Sequence, residues 1–236
     1  MATPENKHAV DGGWEYKPAP DSTDHNKVSK KYELLIGGDI VKPESGKYLD
    51  TINPATEERL SRVALANDAD VDKAVKAARK AYNGPWSRMK PAERGKYIYR
   101  IARIIQERAR EFAAIESLDG GKPIREARDV DIPLAAAHFF YYAGWADKLE
   151  YAFPGRSVRP MGVAGQIIPW NFPLLMASWK VAPALACGNT VVLKPAETTP
   201  LTAMKLAEVV ADAGLPEGVV NILTGAGDTG ASIVAH

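Results

Sequence analysis

The sequence predicts an α/β fold: an incomplete doubly wound parallel sheet, preceded by helices and a short N-terminal hairpin. Three observations predict it. Short apolar runs at Gly162–Ile168, Thr190–Leu193 and Val219–Leu223 have the length and β-branched content of strands. Helical stretches at about Leu174–Ala186 and Leu201–Ala213 lie between them. The run centres are roughly 26 to 29 residues apart, which matches the ~30-residue strand–helix–strand unit and so implies parallel strands. Near-continuous apolar strands suit a sheet covered on both faces. The second half of the chain is therefore expected to be part of a Rossmann-like nucleotide-binding sheet.

The remaining elements follow in order. Residues 1–30 are polar and without periodicity, and are expected to be a mobile tail. From Tyr32, YELLIGGDIV places two apolar runs around Gly37-Gly38, a hairpin signal, and Asn53-Pro54 marks a turn. A helix follows with Val71, Ala74, Ala78 and Tyr82 on one face, capped by Asp68 or Asp70 and ended at Gly84-Pro85. The next opens at Pro91 and carries Ile98, Ile101, Ile105, Ala109 and Phe112 as far as Gly120-Gly121. A third runs over about Ile124–Leu149, interrupted at Pro133. Its aromatic cluster from Phe139 to Trp145 reads as packing surface, because no basic patch accompanies it. The last residues, GASIVAH, look like the first turns of a helix with no stop signal. Three parallel strands alone would leave an apolar edge bare, so truncation, or completion by another chain, is expected.

Composition bounds the function classes. In 236 residues, 46% are hydrophobic and 25% charged, the balance of an ordinary soluble protein. A net charge of +1 argues against nucleic acid or an anionic membrane as the main partner. One cysteine, Cys187, excludes an internal disulfide and fits a reducing compartment. With no apolar leader and no run near the ~20 residues that span a bilayer, the expected location is cytoplasmic.

In an open parallel sheet, ligands bind beyond the carboxyl ends of the strands. Three segments fall there: PWNFP, KPAE and TGAGDTG. Lys194 and Glu197 could bind the two hydroxyls of a ribose, although spacing alone favours a surface pair at a helix start, with Glu197, Thr198 or Thr199 as its cap. Gly225, Gly227 and Gly230 read as G-x-G-x-x-G, either a dinucleotide fingerprint or a tight strand-to-helix turn. Asn171 is either a helix cap ahead of Pro173 or an amide donor to an oxyanion. Cys187 reads as a buried, inert thiol, and the four scattered histidines have no metal-ligand spacing, so no metal is expected.

At these residues a resemblance enters. GVAGQIIPWNFPLLMASWKVAPALACGNTVVLKPAETTPLTA resembles the nucleotide-binding core of the aldehyde dehydrogenase superfamily. INPATEERLSRVALANDADVDKAVKAARKAY, PAERGKYIYRIARII and ESLDGGKP are similar to the stretches that precede that core. The similarity runs from about residue 32 to the last residue.

The resemblance implies an enzyme that oxidises aldehydes to carboxylic acids with NAD. Asn171 matches the oxyanion-hole asparagine. Lys194 and Glu197 match the residues that hold the adenosine ribose, and the carboxylate favours NAD over NADP because it would repel a 2′-phosphate. Ile167, Ile168, Pro169 and Trp170 match positions lining the nicotinamide side, while Gly227 and Gly230 match glycines beside the adenine. In the family that glycine turn does not cradle the pyrophosphate. The family's nucleophilic cysteine and base glutamate belong to later segments, G-Q-x-C and E-L-G-G, that are not in these residues; Cys187 aligns with a non-catalytic position.

The resemblance further divides the chain into a partial NAD-binding domain, 31–141 and 161–236, and a shortened oligomerisation arm, 142–160, with the catalytic domain absent. The expected partners are an aldehyde substrate, a homo-oligomeric assembly in the full-length form, and possible completion by a C-terminal chain. The isolated chain is expected to be inactive. The alternative is a non-catalytic nucleotide-binding subunit that pairs with a full-length paralogue.

Overall fold

The computed structural model describes residues 28–236, together with the backbone of an antiparallel ribbon of β1 (Ala9–Val10) and β2 (Trp14–Glu15). Apart from that ribbon, the tail expected over 1–30 lies outside the described residues up to position 27. After β3 (Lys31–Tyr32), β4 (Leu34–Ile36) and β5 (Asp39–Val41) form the hairpin expected around Gly37-Gly38. Both glycines have positive φ, 68° and 98°, as a two-residue turn that follows the strand twist requires.

A second hairpin, β6 (Tyr48–Ile52) and β7 (Arg59–Ala64), was not anticipated as strands. Asn53 shapes its turn, its side-chain oxygen accepting from the Ala55 amide at 2.9 Å.

Helix α1 (Asp68–Ala81) is capped by Asn67 rather than by Asp68 or Asp70. Asn67 has an extended backbone and accepts from the amides of Ala69 and Asp70, while Asp70 reaches back to accept from the Asn67 amide at 3.0 Å. A wide π-helical turn, Tyr82–Trp86, follows and buries Trp86, whose indole N–H donates to the Asn189 carbonyl at 2.9 Å.

The single helix expected from Pro91 is two, α2 (Pro91–Glu107) and α3 (Ala109–Gly120). They are separated at Arg108, whose backbone (φ −97°, ψ 18°) leaves the helical region. Gly121, at φ 68°, ends α3. The third helical stretch is likewise divided, into α4 (Ile124–Glu126), a π-helical turn over Ala127–Asp131, and α5 (Ile132–Trp145) with Pro133 in its first turn. Then α6 (Leu149–Ala152) supplies one turn in the segment expected to be the assembly arm, which contains no strand.

The alternating units follow as expected: β8 (Val163–Ile167), α7 (Pro173–Ala186), β9 (Thr190–Lys194), α8 (Leu201–Asp212), β10 (Val220–Ile222) and α9 (Gly227–Ala235). Strands β8, β9 and β10 are parallel, and β10 pairs antiparallel with β4, giving the order β5-β4-β10-β9-β8. The edge expected to be bare is thus corrected on one side: the N-terminal hairpin covers β10, and β8 remains an outer strand. A separate sheet has the order β3-β7-β6.

Central β9 is buried throughout, and its side chains alternate between two cores. Val191 and Leu193 face the larger core with α2, α5, α7 and α8, whereas Val192 faces α1 with Leu34, Ile36 and Leu223. Helices on both faces make the sheet doubly wound. No described helix is long and apolar enough to cross a membrane.

Candidate nucleotide-side site

The parallel pairing of β8 and β9 brings Ile167 level with Lys194, and the Ile168 amide donates to the Lys194 carbonyl at 3.1 Å. Both strands therefore end together, and the chain leaves each on the same side of the sheet. Lys194 is 3% exposed. Its ammonium donates to the Pro195 carbonyl at 3.0 Å and to Glu197 Oε2 at 3.3 Å. The Glu197 side chain is about half exposed, at 48%. Its own backbone amide holds its carboxyl below the ordinary value, with help from Lys194 and against the opposing effect of burial, so it is a carboxylate at neutral pH.

A cleft of about 600 Å³ opens above these strand ends. Ile167, Ile168, Lys194 and Glu197 line it from the sheet side, and Gly227 and Gly230 from α9. A Cβ on Gly230 would stand 3.5 Å from Ile167 and 3.6 Å from Lys194, inside the cleft, so glycine there keeps the floor open. Gly225 has a different role, since a Cβ there would lie 2.1 Å from Thr229 Oγ1. Thr229 in turn donates to the Ala66 carbonyl at 2.6 Å, tying the start of α9 to the segment between β7 and α1. The glycine run is a tight strand-to-helix turn, and none of its three glycines has positive φ.

Pro169, Trp170 and Asn171 form the exposed loop between β8 and α7. Trp170 is a shared wall. It borders a hollow of about 530 Å³ with Glu197 and Asp119, and another of about 270 Å³ with Asn171, Glu116 and Lys122. Asn171 and Glu197 line no common hollow, and Pro169 lines none of the three. Asn171 is not the cap of α7: Phe172 holds that position and offers no side-chain cap. Thr199 Oγ1 donates to the Trp170 carbonyl at 3.4 Å, joining the loop after β8 to the loop after β9.

A profile of the aldehyde dehydrogenase family matches residues 40–236. The aldehyde dehydrogenase of Alternaria alternata is 49% identical over 212 residues, covering 86% of this chain and 43% of that protein. Human retinal dehydrogenase 2 is 46% identical over 219 residues, covering 88% of this chain and 42% of that protein. The NAD+ complex of an aldehyde dehydrogenase from Bacillus cereus superposes with a TM-score of 0.84 at 45% identity, covering 89% of this chain and 45% of that one. The chain belongs to the aldehyde dehydrogenase family. It spans less than half the length of each of these relatives.

Within this member of the aldehyde dehydrogenase family, Cys187 is set apart from the site. It sits at the far end of α7 from Asn171, and 14 residues of helix at ~1.5 Å per residue put roughly 21 Å between them. Burial raises its thiol pKa, against the opposing charge of Arg94. Among the described residues no group of three or more His, Cys, Asp or Glu is placed to hold a metal.

Glu116 and Asp119 were not among the expected site residues, and Thr199, a candidate cap for the following helix, bonds the Trp170 carbonyl instead. Glu116 and Asp119 lie on α3, 1% and 4% exposed, and burial pushes each carboxyl up to about 7. Two acids three residues apart in the otherwise apolar stretch FAAIESLD were the available signal.

Proposed function

We propose that this chain supplies the nucleotide side of an NAD-dependent aldehyde-oxidising site. The carrying observation is the cleft at the tips of β8 and β9, where Ile167, Ile168, Lys194, Glu197, Gly227 and Gly230 meet. These residues fit the adenosine half of NAD. Lys194 keeps N–H capacity beyond its two bonds, and Glu197 commits one oxygen to Lys194 and leaves the other to accept from a diol. The Gly230 floor leaves room for a flat ring. When bound, NAD supplies the hydride acceptor.

The other roles belong to this chain's own groups. Pro169 and Trp170 continue the wall from Ile168 toward the nicotinamide side. The Asn171 amide, not used as a cap, is free to donate to a carbonyl oxygen as negative charge develops on it. Glu197, ionised at neutral pH, disfavours a 2′-phosphate and so NADP. We place the chain in the cytoplasm, in keeping with its single thiol, and read the exposed 142–160 segment as an assembly arm of a homo-oligomer.

Calorimetric titration of the chain with NAD tests this reading. Glu197→Ala is expected to weaken binding by roughly tenfold to a hundredfold, the loss of a hydrogen bond to a charged group, and to narrow the preference for NAD over NADP. Equal affinities for parent and variant would overturn it. Covalent oxidation needs a thiolate nucleophile within reach of Asn171, which Cys187 is not. The purified chain with aldehyde and NAD is therefore expected to form no NADH, and absorbance growth at the NADH band above a protein-free control would contradict this.

A second reading, a subunit that pairs with a full-length relative, is supported by the outer position of β8, where Gly165 and Ile167 are exposed. Co-elution with such a relative in size-exclusion chromatography is expected on this reading, and separate elution would set it aside.

A further inference from the structure

Both helices that follow the site loops start without a side-chain cap of their own. Phe172 precedes α7 and Pro200 precedes α8, and neither offers a capping side chain. Pro173 has no N–H, so the first amide α7 presents is that of Leu174, and it donates to Glu116 Oε2 at 3.4 Å. The first amide of α8, Leu201, donates to Asp119 Oδ2 at 2.8 Å. Glu116 and Asp119 are three residues apart, so they share one face of the last turns of α3. One rigid element thus grips two helix starts. The loop entering α7 carries Trp170 and Asn171, the loop entering α8 carries Glu197, and the Thr199–Trp170 bond joins the two.

Stability alone does not account for this arrangement. Glu116 Oε1 and Asp119 Oδ1 are buried with no hydrogen-bond partner. An unpaired buried carboxyl oxygen costs stability that an apolar residue would not. A local cap such as Ser or Asn at position 172 or 200 would satisfy each helix from within its own loop, but would leave the loops independent.

We propose that Glu116 and Asp119 are positioning residues, which cap α7 and α8 from α3 and so fix the loop bearing Asn171 relative to the loop bearing Glu197. The groups around the pair are few. Lys122, Asp131, the Thr202 hydroxyl and the Leu174 amide surround Glu116, and the Leu201 amide and Glu116 itself surround Asp119. Lys122 is paired with Asp131 and also lies over the Phe172 ring at 3.9 Å, so it touches the same loop.

The test is a 15N NMR titration of the whole chain between pH 5 and 9. The Leu174 and Leu201 amides are expected to shift with the protonation of Glu116 and Asp119, and Trp170, Asn171 and Glu197 to shift with the same midpoints. Amides that titrate while those three stay fixed would overturn the proposal. Glu116→Gln and Asp119→Asn keep an uncharged acceptor oxygen, and are expected to abolish the titration and hold the loop resonances near the parent's low-pH positions. Glu116→Ala and Asp119→Ala are expected to move them, and a folded alanine variant with unmoved loop resonances would also overturn it. Only a last arm rests on the nucleotide reading: NAD affinity is expected to fall about fivefold in the alanine variants and to recover with Gln or Asn. A parent chain that binds no NAD refutes that reading, while the resonance shifts still decide the positioning.

Discussion

Gly225 shows how little room one atom can have. A methyl group there meets Thr229 Oγ1 at 2.1 Å and Thr229 Cβ at 2.7 Å, and Thr229 cannot turn away without giving up its bond to Ala66. Gly225→Ala is therefore expected to destabilise the chain by about 1–3 kcal/mol, the usual cost of overpacking, read as a lower urea midpoint. Gly214→Ala is a contrast of a different kind, with nothing within 4 Å but a φ of 73°. Single residues were unevenly legible in the sequence. Lys194 and Glu197 stood out because two opposite charges directly follow an apolar strand. Glu116 and Asp119 did not, because the same acids on an exposed helix face would read identically. Their burial is set by α7 and α8, which arrive more than fifty residues later.

Among elements, α1 has a reciprocal cap that can be tested alone. Asn67→Ala removes the acceptor for the Ala69 and Asp70 amides and is expected to cost about 1 kcal/mol, measured by urea unfolding, while the cleft at the strand tips stays unchanged. The parallel strands were legible as short, mostly apolar runs, and the helices between them by the spacing of their apolar residues. The β6–β7 hairpin was not, since its inward positions include Thr51 and Ser61, both 1% exposed, and the apolar alternation is lost. Nor was the break between α2 and α3. The apolar face runs through it from Ile105 to Phe112, with no glycine or proline, and Arg108 is held there by bonds to Glu111 and Glu208 instead.

For the molecule as a whole, the buried acids give stability a pH dependence of known sign. Folding raises the Glu116 and Asp119 carboxyls from the ordinary 4.5 and 3.8 to about 7, mainly through burial. A group raised in this way favours the fold fully below its unfolded value, and that contribution is lost as pH rises through about 7. Urea unfolding is therefore expected to show stability falling between about pH 4 and pH 7, with a flatter profile in the Glu116→Gln, Asp119→Asn double variant. The hairpin that covers β10 carries a further consequence. Gly37 donates to Asn221 Oδ1 across 184 positions of sequence, and the Ala64 carbonyl waits for Thr224 across 160. Such distant partners make a high contact order, and the entropy of closing so long a loop must be met before the pairing returns anything. On the ribosome, the β4–β5 hairpin can close as it emerges, but the β4 edge that pairs with β10 stays open until β10 has been made. That edge is exposed throughout the interval, which is when chaperones or misassociation can act on this chain.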